Sequence, residues 1–327
     1  FDRLYTINLY PNFKELEVKK IMRRRIVAAR DIKPGELLSE ETVKGFLEYT
    51  HPNFAFSERQ LSTSLESTVT DRLTNYGYKS SLNSVSLGTR YEQFENTFFS
   101  PKLSISSETL DTTSTASAAY KKQDGSYFDA TFGYGLTLDK RNSAFQPSSG
   151  YYSNWYQSLP IISENSEIIN GYIITGYKEL IDNMIVSSGI YTRAVNSLSG
   201  DDVRASKRLY APSSRLRGFE FGKVGPTDGT DHVGGNYAAA VNFDLALPNL
   251  LPESSSTDIS LFLDFGNVWE VDYSDTIDDS NKIRSSTGIT ANWSSPVGPM
   301  NFTLATNISK ASTDKTESFN FNLGTSF

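Results

Sequence analysis

The sequence contains no cysteine and only two histidines, His51 and His232, which lie far apart in the chain. A disulfide framework and a thiolate metal site are therefore excluded, and an imidazole-based metal or catalytic centre has few residues to draw on. Long apolar runs are missing as well, since no stretch approaches the ~20 apolar residues that a membrane helix requires. The net charge of −7 argues against nucleic acid as the main partner.

Aromatic residues are abundant instead, with 18 tyrosines and 20 phenylalanines among 327 residues. From about residue 54 onward, turn clusters separate about thirteen segments with the period of two that is typical of strands. In one of them, Phe302 and Leu304 alternate with Asn301 and Thr303. One face of such segments is aromatic and the other is rich in Ser, Thr, Asn and Gly. This pattern favours an all-β, antiparallel transmembrane β-barrel with a wet lumen over a soluble β-sandwich.

Residues 1–53 have a different composition from the rest of the chain. They are rich in charge and contain the turn Lys33-Pro34-Gly35, and a helix is predicted to begin at Ser39. The composition changes sharply near residues 51–53. We therefore predict a small α+β segment over residues 1–53 and a β-barrel over residues 54–327.

Several spaced motifs point to one family. The stretch RLRGFEFGKVGP at 215–226 and the hairpin DKRNSAFQPSSGYY at 139–152 are followed in order by DHVGGNYAAAVNFDLALP, LFLDFGNVWEVD and FNFNLGTSF. Together they resemble the C-terminal barrel of BamA-type outer-membrane assembly factors, also called surface antigens, over about residues 54–327. The family's barrel has about 16 strands, so an incomplete barrel is expected here. The stretch RRRIVAARDIKPGELLSEETV at 23–43 resembles a SAF domain, and its origin as a fusion or a junction stays open.

The resemblance implies a role for the loop around Arg217. In this family the loop folds back into the barrel, and its arginine pairs with acidic residues of the inner wall. Matched residue by residue, those partners are Asp244 and Asp264, which strand alternation also places on the lumen face. Guanidinium can bind two carboxylates at once, so lysine would substitute poorly. The glycine of the motif is expected to allow a tight turn and the phenylalanine to pack against the wall. The remaining motif residues are Leu216, Gly218 and Phe219.

The resemblance also implies a function without enzymatic activity. Such a protein folds and inserts β-barrel proteins into the bacterial outer membrane through a lateral seam between its first and last strands. No cofactor and no metal are expected. The expected partners are the outer-membrane bilayer and unfolded β-barrel clients, and the family allows accessory assembly lipoproteins. Gly324 is the expected kink of the terminal strand, because glycine weakens strand pairing. The predicted seam residues are Phe319, Phe321, Leu323, Gly324 and Phe327.

Two other functions stay open at this point. A related barrel could secrete or translocate a partner protein. A fragment fused to a SAF-containing enzyme, such as a sialic-acid synthase, would predict a catalytic domain upstream of Phe1. Other motifs are weak, because GFEFGKV at 218–224 is one residue short of P-loop spacing and the acidic stretch at 272–281 lacks the ligand spacing of an EF-hand.

Overall fold

The computed structural model of the chain describes residues 22–28, 42–57, 59–72, 77–114, 116–144, 146–181, 184–229, 231–248, 250–251, 256–277, 281–295 and 298–323. Within these residues, fourteen strands form one sheet and two short strands form a hairpin. The sheet consists of β1 (Met22–Ala28), β2 (Thr42–His51), β3 (Gln60–Arg72), β4 (Tyr78–Phe94), β5 (Thr97–Thr112), β6 (Gly125–Asp139), β7 (Ser149–Ser163), β8 (Glu167–Ile181), β9 (Met184–Ser197), β12 (Tyr237–Leu247), β13 (Thr257–Trp269), β14 (Arg284–Ser295), β15 (Gly298–Ser309) and β16 (Phe319–Leu323). The hairpin consists of β10 (Thr227–Asp228) and β11 (Asp231–His232), and one short helix, α1, spans Ala118–Lys121.

The sheet follows the order of the chain. Each strand pairs antiparallel with its neighbour in sequence, except that β9 pairs with β12 across the hairpin. Among the described residues, β1 and β16 are the edge strands of the sheet, and each pairs with one neighbouring strand. This architecture confirms the predicted all-β, antiparallel fold. From Gln60 onward the described part of the sheet has twelve strands where the sequence predicts about thirteen, and β1 and β2 precede them. No helix in the described part of the chain is long and apolar enough to cross a membrane.

The two faces of the sheet differ as strand alternation predicts. On the outward face, Ile105, Leu304 and Ile308 are exposed. On the inward face, Asp264 and Thr303 are buried although they are polar. An apolar belt outside a polar interior is the arrangement that a bilayer selects in a barrel, because lipid contacts only the outer side chains.

The segment after Ser39 is not the predicted helix. Its described part, Thr42–His51, is strand β2, which pairs with β3 along its whole length. Lys44 and Glu48 lie on one face of the strand and Leu47 on the other, so tertiary pairing overrides the local signals for a helix start. The sheet therefore includes β1 and β2, which precede the predicted boundary near residues 51–53. A separate origin of residues 1–53 stays a prediction.

Residues 198–236, which we name the lumen loop, connect β9 to β12, and the buried residues of its described part lie against the inner face of the sheet. Val203 from the loop packs with Val195 of β9 and Val268 of β13 in one buried cluster. Val233 packs with Tyr120 of α1 in a second cluster. The main buried apolar clusters of the described residues thus lie between the loop and the inner face of the strands. Long connections that are ordered in this way are commonly functional.

Candidate functional site

Arg217 of the lumen loop is held by two aspartates from adjacent strands. Its Nη2 lies 2.6 Å from Oδ1 of Asp264 on β13, and its Nε lies 2.7 Å from Oδ2 of the same carboxylate. Its Nη1 lies 2.7 Å from Oδ1 of Asp244 on β12. The backbone N–H of Arg217 also donates to Asp264 over 3.0 Å. The structure therefore brings together the three residues that the sequence predicts as partners, with a bidentate contact to one aspartate and a single contact to the other.

The two aspartates occupy different environments. The side chain of Asp264 is 0% exposed, whereas that of Asp244 is 30% exposed. Asp264 also accepts a hydrogen bond of 2.8 Å from Nδ2 of Asn242. Burial opposes the charge on Arg217, but its hydrogen bonds to Asp264 and Asp244 outweigh that penalty and raise the pKa of Arg217 above its ordinary value. The site is therefore a permanently charged contact that depends mainly on Asp264.

An aromatic platform under Arg217 was not predicted. The guanidinium carbon lies 3.9 Å from the centre of the Phe262 ring, a distance suited to a cation–π contact. Phe262 faces Gly288 of β14 in the register, and a Cβ on Gly288 would lie 2.9 Å from Cε1 of that ring. The small residue leaves room for the ring. The signal was present in the sequence, since Phe262 lies two residues before Asp264 and therefore on the same face.

Gly218 adopts a conformation that other residues rarely adopt. Its φ is +84°, in the left-handed region, and a Cβ there would lie 3.0 Å from Cβ of Ala305 and 3.3 Å from Cβ of Ser286. Its carbonyl accepts hydrogen bonds from the backbone N–H of Glu317 over 3.0 Å and from Nδ2 of Asn307 over 2.9 Å. The tight turn and the close approach to β14 and β15 both require a residue without a side chain.

Phe219 lies in a buried cluster with Leu216 and Val224, both from the lumen loop itself. The sequence predicts that it packs against the wall. Leu216 also approaches the strands, because its Cδ1 lies 3.3 Å from the position that a Cβ on Gly266 would take. The apolar motif residues therefore give the loop a small core of its own.

The backbone of the motif pairs with the segment that precedes β16. Besides the contact between Gly218 and Glu317, the N–H of Glu220 donates to the carbonyl of Lys315 over 3.0 Å. Phe219 and Thr316 form an isolated antiparallel bridge. We name residues 314–318 the linking segment, because it connects the loop to β16, which begins at Phe319.

The described part of the terminal strand presents aromatic residues outward. Phe319 pairs with Leu304, Phe321 with Phe302, and Leu323 with Met300 in the register with β15. The rings of Phe302 and Phe321 are 5.0 Å apart, and Phe319 is exposed. The linking segment thus places the predicted seam strand directly after the predicted loop site. The remaining predicted seam residues, Gly324 and Phe327, lie outside the described residues.

Sequence reasoning missed three further buried arginines. Arg208 of the loop contacts Asp272 over 2.6 Å, and Arg284 of β14 binds Asp314 of the linking segment through two hydrogen bonds of 2.9 and 2.8 Å. Arg204 is held by three carboxylates. Alternation places a side chain on a face but does not pair it with a loop residue, so these contacts need the register and the loop path. In the described part of the chain, no group of three or more His, Cys, Asp or Glu residues could hold a metal ion.

His232 on the hairpin is buried against the loop between β15 and β16. Its Nε2 lies 3.1 Å from the carbonyl oxygen of Thr313. Burial lowers the pKa of His232 below its ordinary value, and Lys223 and Lys315 lower it further, whereas the Thr313 carbonyl and Asp314 oppose the shift. The neutral ring, donating from Nε2, is therefore the form that fits this site.

Docking of the hairpin is expected to weaken in acid. The pKa of His232 is lower in the folded protein than the unfolded value of about 6.5, so the undocked state binds a proton more readily as the pH falls. The stability that neutral His232 gives to the docked hairpin is fully present above about pH 6.5, and it is lost as the pH falls through the folded pKa. Protease cleavage of the loop should accelerate as the pH falls below about 6.5, and His232→Gln, which keeps a donor, should reduce this pH dependence. The control His51→Gln should leave it unchanged, and an equal slope in both variants would contradict the assignment.

Comparison with known proteins gives one family. A model described as the Omp85 superfamily domain matches residues 36–327. The outer membrane protein assembly factor BamA of Neorickettsia risticii (strain Illinois) is 25% identical over 224 residues, which cover 67% of this chain and 30% of that protein. BamA of Neisseria meningitidis serogroup B (strain ATCC BAA-335 / MC58) is 31% identical, over 34% of this chain and 17% of that protein. The chain thus spans less than a third of the length of these relatives.

A solved structure supplies the likeness in fold. The crystal structure of BamA from Haemophilus ducreyi lacking POTRA domains 1–3 superposes with a TM-score of 0.78 at 22% identity. The match covers 87% of this chain and 62% of that one. The chain therefore shares the fold of that protein.

Proposed function

We propose that this chain, which belongs to the Omp85 superfamily, forms the membrane barrel of an assembly factor that folds and inserts β-barrel proteins. Its place is the bacterial outer membrane. The observation that carries the proposal is the terminal strand β16, which among the described residues is an outer strand paired only with β15. The side chains of Phe319 and Phe321 point outward, so the outer face of this strand would contact lipid and its open edge would lie in the bilayer. The names of the BamA relatives from two bacteria support the same function.

The mechanism follows from the energetics of strand edges in a bilayer. An unpaired N–H or C=O group has no water to bind in the hydrocarbon region, so an open edge favours pairing with an incoming strand. A client strand that pairs with β16 forms hydrogen bonds with its backbone N–H and C=O groups while it is still at the edge, before it is released into the bilayer. The chain needs no cofactor for this process, because strand exchange makes and breaks hydrogen bonds only. The proposed partners are unfolded barrel clients and the bilayer, with accessory assembly lipoproteins as further candidates.

The linking segment gives the lumen loop a part in this process. Its backbone pairs with residues 218–220 of the loop on one side, and it continues directly into β16 on the other. Arg217 holds the same stretch of loop against β12 and β13. We therefore assign Arg217, Asp244 and Asp264 the task of fixing the loop, and through the linking segment, of positioning the seam strand.

The test is a folding assay in liposomes that contain the chain. A small unfolded barrel protein should reach its membrane-inserted, heat-modifiable form faster with the chain than in empty liposomes. The double variant Phe321→Pro with Leu323→Pro should abolish the acceleration, because the register with β15 directs the N–H groups of these two residues toward the open edge and proline cannot donate a backbone hydrogen bond. The matched control, Phe321→Ala with Leu323→Ala, keeps both N–H groups and should retain the acceleration.

Two outcomes would overturn the proposal. One is an absence of acceleration in liposomes where the chain itself has reached a compact, heat-modifiable form. The other is recovery of the test protein inside the vesicles in a protease-protected, soluble state, which would favour the alternative of a secretion barrel.

A further inference from the structure

Arg204, near the start of the lumen loop, lies in a cage of three carboxylates. Its Nη2 is 2.6 Å from Oδ2 of Asp129 and 3.2 Å from Oε2 of Glu167, and its Nη1 is 3.4 Å from Oε2 of Glu108. The side chains are 1% exposed for Arg204 and 3–4% exposed for the three acids. A buried charge of this kind persists only when its partners are in place, since the desolvation of an unpaired ion is strongly unfavourable.

The strands build the cage from their own side chains. Glu108 accepts a hydrogen bond of 2.5 Å from Oγ of Ser80, and Asp129 accepts one of 2.6 Å from Oγ of Ser163. Glu167 accepts the backbone N–H of Arg204 over 2.8 Å in addition to the side-chain contact. The two serine hydroxyls orient Glu108 and Asp129 independently of the arginine, whereas Glu167 is held by the backbone and the side chain of Arg204.

An aromatic ring completes the cage. The guanidinium carbon of Arg204 lies 4.8 Å from the centre of the Tyr127 ring. A cage with an aromatic ring and several carboxylates fits a guanidinium better than an ammonium, because guanidinium is planar, stacks on a ring and carries several hydrogen-bond donors. The cage carries three negative charges against one positive charge, so removal of Arg204 would leave three buried carboxylates that repel one another.

The cage and the Arg217 site use different strands. Glu108, Asp129 and Glu167 belong to β5, β6 and β8, whereas Asp244 and Asp264 belong to β12 and β13. One loop is therefore attached at two places to two separate parts of the wall. Strand β9 lies between the two attachments in the sheet order.

We propose that Arg204 is a second positioning residue of the lumen loop, which clamps the first limb of the loop (residues 198–210) independently of Arg217, which clamps the second limb (residues 213–226). The motif arginine alone then does not determine the resting position of the loop. A loop clamped at two points can release one limb while the other stays docked. This inference concerns the loop itself and does not depend on the proposed assembly function.

The absence of native cysteine makes a direct test practical. Val203→Cys reports on the first limb and Val224→Cys on the second, because the native side chains are 0% and 3% exposed. Each reporter is placed in the full chain, folded in detergent, and its reaction with a maleimide is timed. Arg204→Ala should accelerate labelling at position 203 by about tenfold or more and at position 224 by less than about twofold, and Arg217→Ala should do the reverse.

Two additions separate a specific cage from a general loss of structure. Guanidinium at low millimolar concentration should restore protection of position 203 in the Arg204→Ala protein, because the cation fits the vacated cage. The matched control Lys207→Ala removes a neighbouring cation that acts on Glu167 through its charge but forms none of the ion pairs described for the cage, and it should leave both reporters protected. If Arg204→Ala yields no heat-modifiable form, Arg204→Lys is tested in the same way, and the labelling rate at position 203 should then rise by a smaller factor.

The proposal is overturned by any of three results. Position 203 could stay protected without Arg204, both reporters could open together in each variant, or guanidinium could fail to protect position 203. The second result would mean that the loop docks as one cooperative unit. Failure of the client-folding assay would leave these labelling results unaffected, so the two proposals can fail separately.

Discussion

Arg217→Ala is expected to destabilise the folded barrel by about 3–5 kcal/mol, because it leaves the fully buried carboxylate of Asp264 without its counter-ion. The Phe262 ring and the Asn242 amide remain beside that carboxylate, but neither carries a positive charge. The measurement is the urea midpoint of the compact, fast-migrating form on a gel, which unfolds only on boiling in the parent protein. The midpoint should fall markedly, or the compact form should disappear.

A second arginine–aspartate pair provides the matched control. Arg141 lies 2.7 Å from Asp139, at the same distance as the contact between Arg217 and Asp244, but the side chains are 19% and 29% exposed. Water can solvate Asp139 after the substitution, so Arg141→Ala should cost no more than about 1 kcal/mol. Equal effects of the two substitutions would contradict the view that burial of Asp264 gives the Arg217 site its importance.

Gly218→Val should be the next most damaging substitution. A β-branched residue at a φ of +84° costs about 1–2 kcal/mol in backbone strain alone. Crowding against Ala305 and Ser286, which a Cβ would approach to 3.0 and 3.3 Å, adds about 1–3 kcal/mol. We expect the hydrogen bonds from Glu317 and Asn307 to the carbonyl of residue 218 to be disturbed as well. The urea midpoint of the compact form measures the sum of these effects.

Gly200→Val separates strain from crowding. Gly200 has the same φ of +84°, but nothing lies within 4 Å of the position of its Cβ. The control should therefore show the backbone cost and no more. If both valine variants lose the same stability, close approach of the loop to β14 and β15 is not the reason for a glycine at position 218.

The sequence predicts the fold of this molecule well, because the strands of a barrel alternate polar and apolar residues and this alternation is visible in the sequence. The period of two places Asp264 inward and Leu304 outward, and the structure agrees on both. The motif around Arg217 identified the family, which the match over residues 36–327 confirms. The helix predicted from Ser39 failed because capping signals are local, whereas β2 owes its conformation to its pairing with β3.

The contacts of the loop were harder to foresee. Asp244 and Asp264 could be named because a resemblance supplied them, and their assigned role stays a prediction. Nothing comparable pointed to Glu108, Asp129 and Glu167, whose positions in the chain are far apart. They meet at Arg204 only because the register of four strands and the path of the loop bring them together. The period of two in the sequence predicts neither the register of the strands nor the path of the loop.

The pairing of the lumen loop with the linking segment also constrains the order of folding. Asn307, which donates to the Gly218 carbonyl, follows it by 89 positions, and Glu317 follows later still. Contacts of such long sequence separation form slowly, because the intervening chain must first lose its freedom. The loop therefore cannot complete its docking until β15 and the linking segment have formed, although Arg217 can meet Asp264 earlier. A docked loop is thus a late folding event that reports whether the C-terminal hairpin is in register.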